Sequence, residues 1–138
     1  MSWCMGAEGS LSIIGVDIMQ DVKAITALIE RYFDATYRGD VALLRSVFDP
    51  RARVIGEING VPYAKHIDEY LAGVAGRQSP EEVGDPVVMT LLALDVQHTI
   101  AMVKLHVQML GFNYYNFFSL VRQQRAWRVM TKTLTHQP

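Results

Sequence analysis

The second half of the chain contains four long runs of β-branched and aromatic residues that only short polar breaks separate. These runs cover residues 87–96, 98–110, 112–123 and 127–135. Their composition is typical of β-strands. Connections of a few residues can join only antiparallel neighbours, because a parallel crossover needs about a dozen residues or more. We therefore predict that this half forms an antiparallel sheet of long strands.

The first half has the pattern of helices. Between residues 18 and 33 the apolar residues recur every three or four positions, which is the spacing of one helix face. Asp17 is a suitable N-cap for this helix, and Gly39 is a suitable residue to end it. Asp40 can cap a second, shorter helix, which should end near Pro50 because the residue before a proline avoids the helical region.

A strand, a turn and a third helix are expected between the two halves. Residues 53–58 are predicted to form a strand, and Asn59-Gly60 favours a tight turn because both residues tolerate positive φ. Residues 63–75 place their apolar side chains on one helix face, whereas the prolines in residues 77–86 indicate a loop. Because helices come first and strands later, the predicted fold class is α+β, with the helices packed on one face of the sheet.

Size and charge narrow the class of protein. The chain has 138 residues and a net charge of −1, and 50% of its residues are hydrophobic. We expect one domain, residues 17–138, after a flexible N-terminal arm, residues 1–16. The sequence offers no basic surplus for nucleic acid and no uninterrupted apolar run of about eighteen residues for a membrane span. With a single cysteine, Cys4, and no secretory signal pattern, a cytoplasmic location is expected.

The run of residues 98–110 predicts a sheet with two different faces. Alternate residues from Ala101 to Met109 are apolar and are expected to meet the helices. The opposite face mixes apolar side chains such as Ile100 and Met102 with long polar ones. Because large exposed apolar patches are unusual on monomers, we expect a homodimer through this sheet face, with a solvated face as the alternative.

The ordered segments resemble the nuclear transport factor 2-like superfamily. The resemblance lies in residues 32–40 (YFDATYRGD), 48–60 (FDPRARVIGEING) and 116–132 (NFFSLVRQQRAWRVMTK). Together with residues 68–71 they are most similar to its lumazine-binding and SnoaL-like branch, over roughly residues 20–136. The resemblance implies a cone: three N-terminal helices packed on a strongly bent antiparallel sheet around an apolar pocket. It does not fix the function, because this fold hosts isomerases, cyclases, dehydratases and binding modules.

A comparison with the ketosteroid isomerases of that superfamily can be made residue by residue. Tyr32 occupies the position of their tyrosine, and Asn116 that of the aspartic acid that donates a second hydrogen bond to the oxyanion. An amide can also donate such a bond. Gly56 stands where their general base is expected, and glycine cannot accept a proton. The candidates for a substitute base are Glu57 and His66, although a solvated strand residue and a helix-flank histidine are the simpler interpretations.

The resemblance also implies a ligand pocket. The residues expected to line it are Tyr32, Tyr70, Tyr114, Asn116, Phe118 and Trp127. Asn116 lies on an apolar strand face, where an amide must be hydrogen-bonded or reach a cavity. Core packing is the alternative for Tyr32 and Trp127.

Three functions remain open at this point. The first is binding of a small, apolar, carbonyl-bearing ligand. The second is a divergent isomerase, cyclase or dehydratase in which Tyr32 and Asn116 polarise a carbonyl. The third is a protein-interaction module. No cofactor is implied, and no metal site is expected, because the four histidines are scattered without metal-ligand spacing.

Overall fold

In a computed structural model, the backbone is described for residues 3–138 and the side chains for residues 18–138. The helices over these residues are α1 (Trp3–Arg38), α2 (Val41–Arg45), α3 (Ile67–Ala75) and α4 (Pro80–Val83). Helix α1 includes residues before Asp17, so the predicted N-cap at Asp17 is wrong. The predicted flexibility of residues 1–16 concerns a segment that lies outside the described side chains, and it stays a prediction.

Six strands form one sheet. They are β1 (Phe48–Ile58), β2 (Val61–His66), β3 (Val88–Gln97), β4 (Ile100–Met109), β5 (Phe112–Gln123) and β6 (Ala126–His136). Their order across the sheet is β2-β1-β6-β5-β4-β3. The fold class is α+β, as predicted.

The sheet is not antiparallel throughout. Strands β1 and β6 are parallel, and every other neighbouring pair is antiparallel. The argument from short turns applies to strands that follow one another directly, whereas two helices, α3 and α4, and four strands lie between β1 and β6 in the chain. That separation leaves room for a parallel pairing.

The segment after the predicted turn is a strand rather than the start of a helix. Asn59 and Gly60 both have positive φ, as a tight hairpin turn requires. The hairpin continues the pairing from Ile58 opposite Val61 to Arg53 opposite His66. The third helix therefore begins only after His66, and its predicted start at residue 63 is wrong.

The predicted loop of residues 77–86 contains the short helix α4. Ser79 caps this helix, and its side chain and that of Glu82 bond each other's backbone N–H groups. The spacing of a serine and a glutamate three residues apart is a known helix-start signal. The structure thus has four helices over residues 3–138 instead of the expected three.

The core lies between the helices and one face of the sheet. Helix α1 contributes Ile25 and Ile29, and strand β4 contributes Val103 and Leu105, all of them fully buried. Alternate residues of β4 from Ala101 to Met109 are buried, while the residues between them are exposed or half-buried. The predicted inward face of β4 is therefore confirmed, and it forms one wall of the site described next.

Candidate functional site

A small cavity lies between helices α1 and α3 and the inner face of the sheet. Its volume is about 100 Å³. Its polar lining comprises Tyr32, Tyr63, Tyr70, Arg77, Tyr114, Asn116 and Lys132. Among the described residues no aspartate or glutamate lines it. We call it the Lys132 cavity, because this lysine is its most unusual member.

Lys132 is only 4% exposed, although lysine is rarely buried without a charged partner. Its Nζ donates hydrogen bonds to the Tyr32 Oη at 2.9 Å and to the Tyr70 Oη at 2.7 Å. The Nζ also lies 4.4 Å from the centre of the Tyr70 ring, within cation–π range. Taking an ammonium out of water costs several kcal/mol, about as much as several good hydrogen bonds return. A group kept at such cost is a candidate for function.

The two tyrosines decide the charge states in the cavity. Burial alone would lower the pKa of Lys132, but the oxygens of Tyr32 and Tyr70 outweigh it and raise that pKa, so the lysine is a cation at neutral pH. Burial raises the pKa of Tyr70, yet the charge and hydrogen bond of Lys132, together with the charge of Arg77 and a hydrogen bond with Tyr32, bring that pKa below the ordinary tyrosine value. For Tyr32 burial dominates, and its pKa is raised. Tyr70 is therefore the more acidic hydroxyl of the pair.

A β-bulge turns Lys132 toward the cavity. Trp127 and Val129 face the core, so strict alternation along β6 would place Lys132 on the outer face of the sheet. The register between β5 and β6 shifts at this point and leaves Met130 as an extra residue. An extra residue reverses the facing of everything after it. Lys132 and Leu134 consequently point inward.

Asn116 on β5 brings a second polar group to the same cavity. Its side chain is 2% exposed and lies between core residues of the inner sheet face. Its Oδ1 has no hydrogen-bond partner among the described residues. A buried acceptor left unpaired costs about 1–3 kcal/mol. The amide is thus positioned to bond a molecule that enters the cavity.

The structure brings together four of the six residues expected to bind a ligand. Tyr32, Tyr70, Tyr114 and Asn116 all line the Lys132 cavity. Phe118 instead packs edge-on against the Tyr32 ring, with 5.0 Å between the ring centres. Phe118 therefore packs against the Tyr32 ring without lining the cavity itself.

Trp127 lies away from the cavity. Its Nε1 donates to the Asp21 Oδ1 at 3.0 Å, and the Nη1 of Arg122 reaches the same oxygen at 3.0 Å. These bonds tie helix α1 to strands β5 and β6. For Trp127 the structure favours a role in packing over the expected contact with a ligand.

Neither candidate base reaches the cavity. Glu57 is exposed on the outer sheet face, and its carboxylate accepts a hydrogen bond from the backbone N–H of Gly60. His66 is the N-cap of α3, and its Nδ1 accepts from the Asp68 N–H at 3.1 Å. Both side chains serve local backbone structure. The expectation that one of them acts in the pocket is not supported by their positions.

The structure also explains why glycine stands at position 56, where the comparison with ketosteroid isomerases led us to expect a general base. A Cβ at this position would lie 1.8 Å from the backbone oxygen of Leu134 on the neighbouring strand β6. Two such atoms cannot approach closer than about 3 Å, so no side chain fits. Strands β1 and β6 therefore exclude a general base here altogether.

Sequence reasoning missed three polar residues of the cavity: Lys132, Arg77 and Tyr63. Among the described residues, no three histidine, cysteine, aspartate or glutamate side chains gather as a metal site would require. In the same described part, no helix is long and apolar enough to cross a membrane.

The family assignment comes from a comparison with family models. The model of the family described as "Putative lumazine-binding" matches residues 20–135. The chain belongs to this family. No curated protein matches the chain. The matched residues include helix α1 from residue 20 onward, the whole Lys132 cavity and nearly all of strand β6.

Solved structures with the same fold support the expected superfamily. An NTF2-like protein of unknown function from Silicibacter pomeroyi DSS-3 has a TM-score of 0.78 at 22% identity, covering 87% of this chain and 98% of that one. An NTF2-like protein from Shewanella baltica OS155 has a TM-score of 0.78 at 20% identity, covering 87% and 96%. A ketosteroid isomerase-like protein from Erwinia carotovora atroseptica has a TM-score of 0.64 at 12% identity, covering 84% and 96%. At these identities the likeness establishes the fold alone, which is the fold expected from the sequence, and the family model confirms the expected lumazine-binding branch.

Proposed function

We propose that this member of the lumazine-binding family binds a small carbonyl-bearing ligand in the Lys132 cavity. The observation that carries the proposal is a buried ammonium that lines the same cavity as an amide oxygen without a partner. Both groups lose solvation on folding, and the described residues return only part of it. A ligand that accepts a hydrogen bond from Lys132 and donates one to the Asn116 Oδ1 would complete the bonding of the site.

Donor groups in the cavity suit an oxygen acceptor. An ammonium has three N–H donors, and Lys132 uses two of them on Tyr32 and Tyr70. Each tyrosine accepts from the lysine and keeps its own O–H to donate. Donors that converge on one point in a dry site polarise a carbonyl strongly. In this arrangement Lys132 takes the role that the sequence comparison had given to Tyr32 and Asn116 alone.

The size of the cavity restricts the ligand. Its volume of about 100 Å³ is several times the ~30 Å³ that a water molecule occupies in the liquid. Pockets that bury drug-sized ligands usually measure about 300–1,000 Å³. The proposed ligand is therefore compact, and a fused two-ring compound of the lumazine type would require the walls formed by Tyr63 and Tyr114 to move outward.

Binding can be tested with a thermal-shift screen of small carbonyl compounds, followed by titration of those that stabilise the protein. We expect Tyr32→Phe and Asn116→Leu each to weaken binding roughly threefold to tenfold, because each removes one hydrogen bond. Tyr115→Phe, on the outer sheet face, serves as the matched control and should bind normally. Unchanged affinity in both cavity variants, or the absence of any stabilising compound, would contradict the proposal.

Catalysis is the second candidate function, and the lowered pKa of Tyr70 favours it. A tyrosine ionised beside a cation can take the α-proton of the ligand, while the C–H electron pair moves to the carbonyl oxygen and the Lys132 ammonium holds the enolate that forms, without any group at Gly56. The test is exchange of the α-hydrogens of a bound carbonyl compound in D₂O, followed by NMR. Tyr70→Phe should stop the exchange. A compound that binds but does not exchange would leave the protein as a binding module.

A further inference from the structure

The charge of the Lys132 cavity is positive and unbalanced. Lys132 is buried at its centre and Arg77 stands at its exposed rim. Among the described residues no carboxylate lines the cavity, and the two partners of Lys132 are tyrosine hydroxyls. A buried cation is normally paired with an anion, because the attraction between them offsets part of the lost hydration. An anionic ligand would supply this missing charge.

The hydrogen-bonding groups agree with that charge. The free N–H of Lys132 and the O–H groups of Tyr32 and Tyr70 are all donors. A neutral carbonyl offers them a single oxygen. An ionised carboxylate offers two oxygens with about four acceptor sites and no donor, and its bonds to a cation are about twice as strong as neutral ones. A carboxylate thus matches the donors in number and in charge.

Resting on the proposed function, we infer that the compact ligand of the Lys132 cavity is a small carboxylate. Its carboxyl group lies against Lys132 Nζ and the Tyr70 hydroxyl. The unpartnered Oδ1 of Asn116 then faces the rest of the ligand, where a hydroxyl group would supply its missing donor. The volume of about 100 Å³ limits this remainder to a few heavy atoms.

The inference is tested by comparing pyruvate with its neutral amide, pyruvamide, which has nearly the same shape. Titrations of isotope-labelled protein followed by NMR give both affinities. We expect pyruvate to bind about tenfold more tightly or better, because a charge-assisted hydrogen bond contributes about 1.5–3 kcal/mol. The signals that move should include those of Asn116 and Tyr70. This measurement uses the unmodified protein and does not depend on a variant that folds.

Lys132→Met then locates the effect, with Lys23→Met as the matched control. Lys23 is exposed on helix α1, so its replacement removes the same charge without touching the cavity. The preference for pyruvate should vanish in Lys132→Met and persist in Lys23→Met. A preference that survives in Lys132→Met would overturn the inference.

The outcomes separate the two proposals. Equal binding of pyruvate and pyruvamide, with shifts of the Asn116 signals, would overturn the carboxylate inference and leave the proposed function intact. If neither compound binds, and a panel of acetate, lactate, acetone and lactamide also fails, both proposals are overturned. Preferential binding of the carboxylates, lost in Lys132→Met, supports both.

Discussion

At the scale of single residues, the burial of Lys132 lowers the stability of the fold but places a cation in the proposed ligand cavity. Its burial removes an ammonium from water at a cost of several kcal/mol, and its two bonds to tyrosines return about 1.5–3 kcal/mol each. Methionine has a similar length and no charge, so it can fill the same space. The two tyrosine hydroxyls remain close enough to each other to share a bond after the replacement.

We therefore expect Lys132→Met to leave the free energy of unfolding unchanged or to raise it by about 1–4 kcal/mol. Urea denaturation measures this, with Lys23→Met at an exposed position of helix α1 as the control. A loss of more than about 2 kcal/mol relative to the control would show that Lys132 is chiefly a structural link between α1, α3 and β6.

The same lysine controls the acidity of Tyr70. A nearby cation favours the phenolate, so removing Lys132 takes away the largest influence that lowers the pKa of Tyr70 and leaves burial opposed only by Arg77 and Tyr32. The pKa of Tyr70 should lie below that of Tyr32 in the natural protein and should rise in Lys132→Met. An ultraviolet titration of phenolate formation, compared with the same titration of Tyr70→Phe, measures the shift. A titration that Lys132→Met does not alter would contradict the assigned contact.

At the scale of elements, the irregularity of β6 explains what the sequence could not provide. Tyr32 and Asn116 were located through the family resemblance, and the regular helix and strand periodicities at those points placed both side chains on an inward face. Lys132 follows a bulge, and strict alternation directs it to the wrong face. The only sign in the sequence is that Trp127 and Val129 are apolar at odd positions, whereas Leu134 is apolar at an even one. That change of parity predicts a bulge between them, but it does not fix the residue at which the bulge lies.

The boundary between strand β2 and helix α3 was a second feature that the sequence left ambiguous. Residues 63–66 satisfy the helix pattern of the residues that follow, and the sequence does not show which pairing continues beyond a tight turn. In the structure the cross-strand bonds extend as far as His66, and the helix starts where its side chain can cap it. The competing tertiary pairing decides the boundary.

The parallel pair of β1 and β6 makes Gly56 irreplaceable. We expect Gly56→Ala to lower the free energy of unfolding by about 1–3 kcal/mol or more, because its Cβ would collide with the Leu134 carbonyl. Gly73→Ala is the control, since nothing lies within 4 Å of a Cβ there and alanine favours the helix. Equal stability of the two variants in urea would contradict the close approach of these strands.

At the scale of the whole molecule, the helix-then-strand order was sufficient to predict an α+β fold, and the ordered motifs were sufficient to indicate the superfamily. The parallel strand pair was not predictable, because it joins segments about eighty residues apart in the chain. No local pattern in the sequence records such a contact.

We also propose that the outer face of the sheet contacts a second copy of the chain. Phe117 and Met102 are exposed there by 52% and 46%, beside Ile55 and Ile100. Asp95 and Lys104 border this apolar area on neighbouring strands, so the face carries both charges and is compatible with itself in a twofold dimer.

Phe117→Glu should therefore convert a dimer to a monomer in analytical ultracentrifugation, because it places a charge in the apolar centre of the face. Val83→Glu, at an exposed apolar site on helix α4, should leave the mass unchanged. A natural protein that sediments as a monomer at every concentration would contradict this proposal and leave the Lys132 cavity unaffected.

The most direct test of the central claim is a crystal structure of the protein grown with the small carbonyl compound that binds it most tightly. The account predicts the compound inside the cavity, with one of its oxygens about 2.7–3.1 Å from Lys132 Nζ and the Asn116 amide in contact with it. A compound bound elsewhere, with the cavity holding only water, would contradict it.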